Sequence, residues 1–195
     1  MKKFIIAVFA LIALVMIGAA LILPREVPVE RKIVIDAPAG QIYANIINLE
    51  QWQKWNAWAA KDPNMKVTYG DKIEGEGANY SWMSESQGSG SMTITKVEEP
   101  TRVETTLDFG DQGKATAYFD LKSMGEDKTE VTWHMVADMG MSPIGKIFGL
   151  MMDSMVGPDF EDGLQRLKKL SESSEEPTPE ATTTPESTPK ASPSP

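Results

Sequence analysis

The sequence predicts an α+β protein, with one antiparallel sheet between an opening and a closing set of helices. Between residues 66 and 138, short runs of alternating apolar and polar residues are separated by turns rich in Gly and Pro. No helix-length segment interrupts these runs, which excludes the crossovers a parallel sheet needs. Helical periodicity appears on both sides of them, after Pro38 and after Ser142.

The chain opens with Phe4 to Leu23, a run of 20 residues without a charge. As a helix it spans about 30 Å, the thickness of a bilayer core. Lys2 and Lys3 precede it and favour a cytoplasmic N-terminus. A cleaved signal peptide is the competing reading, but its apolar region is usually shorter, and no clean small-x-small site precedes Pro24. The expectation is therefore a single-pass anchor, residues 1–24, in the cell membrane, with the rest of the chain outside the cytoplasm. The chain contains no Cys, so a lipid-modified cysteine is excluded.

Val29, Arg31, Ile33 and Ile35 alternate with Glu30, Lys32, Val34 and Asp36, the pattern of a half-buried strand. Pro38 suits a first helical position, where its missing N–H costs nothing. Ile42, Ile46 and Leu49 then fall on one helical face. Trp52, Trp55 and Trp58 follow at a spacing of three, either as core or at a pocket mouth. Strands are expected over 66–69, 78–84, 91–97 after a turn at Gly88-Ser89-Gly90, 102–109, 114–122 and 128–138. Val103, Thr105, Leu107 and Phe109 form one inward stripe, Ala115, Ala117, Phe119 and Leu121 a second, and Val131, Trp133 and Met135 a third. Two small alanines beside Phe119 and Trp133 leave space on that face. Ser142-Pro143 starts the closing helix, and Gly157-Pro158 is expected to kink or interrupt it.

The opening segment VERKIVIDAPAGQIYANIINLEQWQKWNAWAAKDPNM resembles the start of the START-like superfamily, also called SRPBCC or polyketide cyclase-like proteins. The segment GLMMDSMVGPDFEDGLQRLKKL resembles the closing helix of small members. The resemblance implies a helix-grip fold: a curved antiparallel β-sheet wrapped around a long C-terminal α-helix, with a ligand cavity between them. Here one transmembrane helix would precede it. The shared motifs are packing patterns, so the family label does not license a cyclase activity.

The helix-grip domain is expected over 25–170. Residues 171–195 are almost entirely Ser, Thr, Pro and Glu and offer no apolar surface to offset ordering entropy, so a disordered tail is expected there. The net charge of −9 leaves about −7 on the middle domain once tail and N-terminus are set aside, which argues against nucleic acid. A single His and no Cys leave no common zinc site, and no cofactor is implied. Alternation places His134 on the outer face. Asp153, Asp159 and Tyr80 are the polar groups available for acid–base chemistry, but no fixed catalytic constellation stands out.

The leading expectation is a cavity for a hydrophobic small molecule or lipid, lined by Tyr80, Trp82, Phe119, Trp133, Met135, Phe148, Met151 and Met155. Five methionines between Met139 and Met155 would make a pliable wall. Two alternatives stay open: an enzyme of the cyclase or dehydratase type acting on a hydrophobic substrate, and a non-catalytic envelope protein with a filled core.

Overall fold

The computed structural model describes residues 1–173. The expected tail lies outside the described residues from residue 174 onward.

Helix α1 (Lys2–Ile22) is long and apolar enough to cross a membrane. Strand β1 (Glu26–Ile35) follows, then α2 (Ala39–Ile47) and two short helices, α3 (Trp52–Trp55) and α4 (Ala57–Lys61). Strands β2 (Lys66–Tyr69), β3 (Asn79–Ser84), β4 (Gly88–Glu98), β5 (Arg102–Asp108), β6 (Lys114–Gly125) and β7 (Lys128–Asp138) form the meander. Helices α5 (Pro143–Gly149) and α6 (Met152–Glu172) close the described chain.

All seven strands join one antiparallel sheet in the order β1-β7-β6-β5-β4-β3-β2. The first strand therefore pairs with the last, and the helices cover one face. A register shift between Ile94 and Lys96 on β4 adds a residue to that strand, a device that bends a sheet. The result is a curved sheet gripping α6, the helix-grip fold that the family resemblance implies.

Alternation decides the core. Val29 and Ile35 of β1, Met92 and Ile94 of β4, Val103 and Thr105 of β5, Phe119 and Leu121 of β6, and Val131, Trp133 and Met135 of β7 are buried. Ile42, Ile46 and Leu49 are fully buried beneath the opening helices. The carbonyls ending α2 find donors in two indoles: Trp52 Nε1–H bonds to Ile46 O at 2.8 Å and Trp55 Nε1–H to Asn45 O at 3.1 Å. Orphan carbonyls at a helix end need such partners. The two tryptophans thus satisfy α2 while filling the core.

The closing helix differs from expectation at two points. The interruption falls at Leu150–Met151, between α5 and α6, whereas Gly157-Pro158 lies inside α6. Pro158 forfeits only one bond, to the carbonyl four residues back. Gly157 has its own reason. A Cβ there would overlap Arg31 Nη2, so glycine lets the guanidinium lie against the helix. Arg31 reaches Asp153 Oδ1 at 2.7 Å and Glu161 Oε1 at 2.6 Å, joining β1 to two turns of α6.

Helix α6 also runs two residues beyond the expected limit of 170, to Glu172. Ser171 is fully buried, where its Oγ accepts from Asn45 Nδ2 at 3.2 Å and its carbonyl from Gln41 Nε2. The Glu172 carboxylate accepts from Asp36 N–H at 2.8 Å. The low-apolarity composition of this stretch does not reveal these hydrogen bonds.

Candidate ligand-binding cavity

Between the concave face and helices α3 to α6 lies a cavity of about 640 Å³. Its sheet wall is built from inward positions of consecutive strands: Tyr80 and Trp82 on β3, Met92 on β4, Thr105 and Leu107 on β5, Ala117 on β6, and Trp133, Met135 and Ala137 on β7. Its helical wall comes from Trp52, Asn56 and Trp58 on one side and Ile144, Phe148, Met152, Met155, Val156 and Phe160 on the other. Gln53, Gln87, Gln112, Lys114 and Asp138 are the remaining longer polar side chains on the lining.

Small residues open the space. Ala117 lies directly across from Thr105 and from Met135 in the sheet. Large side chains in those registers would fill the gap. Rings hold the wall rigid. Trp133 stacks on Phe160 of α6 with centroids 3.9 Å apart and on Phe119 at 4.9 Å. Trp58 meets both Trp133 and Phe160 edge-on, at 6.1 Å each. Trp82 packs over Gly90 of the neighbouring strand, where a Cβ would stand 2.5 Å from the indole ring.

Tyr80, Trp82, Trp133, Met135, Phe148 and Met155 all face this one space. Phe119 and Met151 do not. Phe119 is fully buried behind the wall, edge-on to Trp52 and Trp55 and stacked on Trp133. Met151 is exposed at the α5–α6 break, and its neighbour Met152 faces the cavity instead. Residue patterning does not single out Thr105, Asn56 or Met92 for the lining. For Thr105 the signal exists, since it shares an inward stripe with Leu107, another lining residue.

The polar chemistry is sparse. Thr105 is 2% exposed, and its Oγ1 is a buried side-chain polar atom without a hydrogen-bond partner among the described residues. Asn56 Oδ1 accepts from Trp58 N–H at 2.8 Å, which caps α4 and commits the amide oxygen. Burial pushes the Tyr80 phenol above its ordinary value, with the Tyr69 hydroxyl adding to the shift. Tyr80 therefore stays protonated at neutral pH and is a donor rather than a base. The two candidate carboxylates are engaged elsewhere. Asp159 pairs with Lys61, and Asp153 is held below the usual carboxylate range by its hydrogen bonds to Arg31. His134 lies on the outer face, stacked on Tyr118 at 4.7 Å and 3.1 Å from Glu30 Oε2. Among the described residues no cluster of His, Cys, Asp and Glu is arranged to hold a metal.

On the lining, Asp138 pairs with Arg25, the residue leading from α1 into β1, and accepts from Gly140 N–H at 2.8 Å. The Arg25 guanidinium and that N–H lower the Asp138 carboxyl to about 2.

The fold recurs in solved structures of low sequence identity. An aromatase/cyclase, Zhui, from Streptomyces sp. R1128 superposes with a TM-score of 0.56 at 12% identity, over 75% of this chain and 94% of its own. A START superfamily protein from Mycobacterium smegmatis superposes with 0.55 at 18% identity, over 75% and 97%. Protein CV1439 from Chromobacterium violaceum gives 0.56 at 12% identity, over 75% and 98%. At these identities the likeness concerns the fold alone. No curated protein sequence matches the chain. Residues 26–172, most of the chain, match the model of the family described as polyketide cyclase / dehydrase and lipid transport, and the protein belongs to that family.

Proposed function

We propose that this protein is a membrane-anchored binding protein whose helix-grip domain, residues 25–170, holds a hydrophobic small molecule or lipid in its internal cavity. The observation that carries this reading is the cavity itself, about 640 Å³ with a wall dominated by aromatic, methionine and aliphatic side chains. Spaces of that size suit drug-sized apolar ligands. Transfer of apolar surface from water is worth roughly 25 cal/mol per Å², which drives such binding without any charged partner. Helix α1 supplies the anchor, and Lys2 and Lys3 before it favour a cavity on the side opposite the cytoplasm.

A cyclase or dehydratase needs at least two polar groups converging on the substrate with a proton to give or take. Here Asp153 and Asp159 are tied to Arg31 and Lys61, and Tyr80 is held protonated. That favours binding over catalysis. An open cavity of this size also counts against a filled-core interaction protein.

The test is native mass spectrometry of the full chain, purified in mild detergent from cells, with extraction and identification of anything bound. A stoichiometric apolar molecule is the expected result. A protein that carries none, and that also fails to take up fluorescent fatty acids or polyaromatic probes, overturns the reading.

A further inference from the structure

We infer that the surface formed by α5 and the α5–α6 break beds into the membrane interface beside the anchor, so that the cavity opens directly onto the lipid bilayer. This rests on the anchored-binding reading above and adds how the ligand arrives.

The starting point is Lys146. It is 8% exposed, and its ammonium donates to the Ala20 carbonyl at 2.7 Å. Ala20 belongs to the last turn of α1, where carbonyls lack intrahelical donors and the helix end carries partial negative charge. Helices α1 and α5 pack together along this contact. Counting about 1.5 Å per residue from Lys3, Ala20 lies about 25 Å along α1, within about 5 Å of the far boundary of a ~30 Å hydrocarbon core. Lys146 therefore fixes α5 at that depth.

The charge composition of the segment agrees. From Met139 to Met152, Lys146 is the only charged residue; Asp153, the next, is exposed and held by Arg31 of β1. With Lys146 turned in toward α1, the outward side is apolar: Met141, Ile144, Phe148, Leu150, Met151 and Met155 are all exposed, Ile144 by 68% and Leu150 by 67%. A contiguous apolar patch on a protein surface marks an interaction site. A short helix with apolar residues on its free side and its one cation held at the interface fits the plane between lipid headgroups and acyl chains. Because the middle domain is acidic, the contact is apolar insertion rather than attraction to anionic headgroups.

The same residues face the cavity. Ile144, Phe148 and Met155 line it and are also exposed on the outer patch. A ligand leaving the acyl-chain region between these side chains enters the cavity without crossing bulk water.

The absence of cysteine permits a direct test on the whole protein. Single-cysteine variants Ile144→Cys, Leu150→Cys and Met124→Cys are labelled with an environment-sensitive fluorophore and reconstituted in phosphatidylcholine vesicles. Met124 is exposed at the opposite end of β6 and serves as the water-side reference. Probes at 144 and 150 should emit to the blue of the probe at 124 and be quenched by doxyl-labelled phosphatidylcholine, with no dependence on salt. Vesicle flotation is measured in parallel. A chain that floats while all three probes behave alike overturns the inference and leaves the anchor standing. A chain that does not float overturns both. A blue shift that grows with the protein-to-lipid ratio, without doxyl quenching, identifies a second copy as the occupant and overturns the bilayer.

Discussion

Thr105 shows how a single residue sets the character of the cavity. It stands mid-strand on β5, between Ile94 and Ala117 of the flanking strands, with its hydroxyl unpaired among the described residues. A buried donor left without a partner costs about 1–3 kcal/mol relative to a satisfied one. Thr105→Val keeps the shape and removes that cost, so the variant should be more stable than the parent by about 1 kcal/mol in urea unfolding. Unchanged or lower stability would mean that a bound molecule or a cavity water already satisfies the hydroxyl. This residue is legible as inward-facing from its alternation with Val103 and Leu107. Its lack of a partner is not, because a hydroxyl's partners depend on what stands opposite it in three dimensions. Phe119 gives the converse case. It shares a stripe with Ala117, yet Ala117 faces the open space while Phe119 is roofed by Trp52 and Trp55. Alternation assigns a face; it does not say which part of the face a helix covers.

Among the elements, α6 combines several sequence signals that pull in different directions. A continuous helix from Ser142 would put Met151 on one face with Phe148 and Met155. The helix breaks at Leu150–Met151, leaving Met151 exposed, while Met152, four residues beyond Phe148 and three before Met155, holds the cavity face with them. Gly157 is explained by Arg31 rather than by helix preference. Replacing it with Ala gains about 1 kcal/mol of helix propensity and displaces a guanidinium whose acidic partners are exposed, a loss of similar size. Gly157→Ala should therefore be near neutral alone, yet stabilise by about 1 kcal/mol in an Arg31→Ala background. A double-mutant cycle in denaturant reads the coupling; additive effects would show that Arg31 does not depend on the glycine. The segment between α1 and β1 depends on another ion pair, Arg25–Asp138. Its carboxyl is held at about 2, below its ordinary 3.8, so the fold favours the ionised form. Its stabilising contribution is complete above the ordinary value and is lost as pH falls through about 2. Asp138→Asn should flatten the fall in thermal midpoint across that acid window and lower the value near neutrality by the same small amount, since the pair is exposed.

At the scale of the whole molecule, strand order and closing helix follow from local patterns, because turns at Gly and Pro delimit each strand and consecutive antiparallel strands pair with their neighbours. The pairing of β1 with β7 and the resulting curvature are legible only through the family likeness, since no local signal joins strands a hundred residues apart. The cavity is a property of the assembled sheet and helices, visible in sequence only as small residues facing large ones. That makes Ala117 the position at which fold and function separate. Its Cβ lies on the wall beside Thr105 and Met135, where the space is unfilled. In a packed core a change to Phe would cost about 1–3 kcal/mol through forced rotamers and backbone shifts. Into an open cavity it buries new apolar surface instead, so Ala117→Phe should keep or raise the thermal midpoint while cutting uptake of an apolar fluorescent probe at least tenfold. Circular dichroism and a binding titration on the same sample check both halves. Loss of stability with loss of binding would mean that the space is closed in solution. Retained stability with retained binding would place the ligand elsewhere on the molecule. Only the combination of a stable fold and a blocked site matches a cavity kept open for a guest.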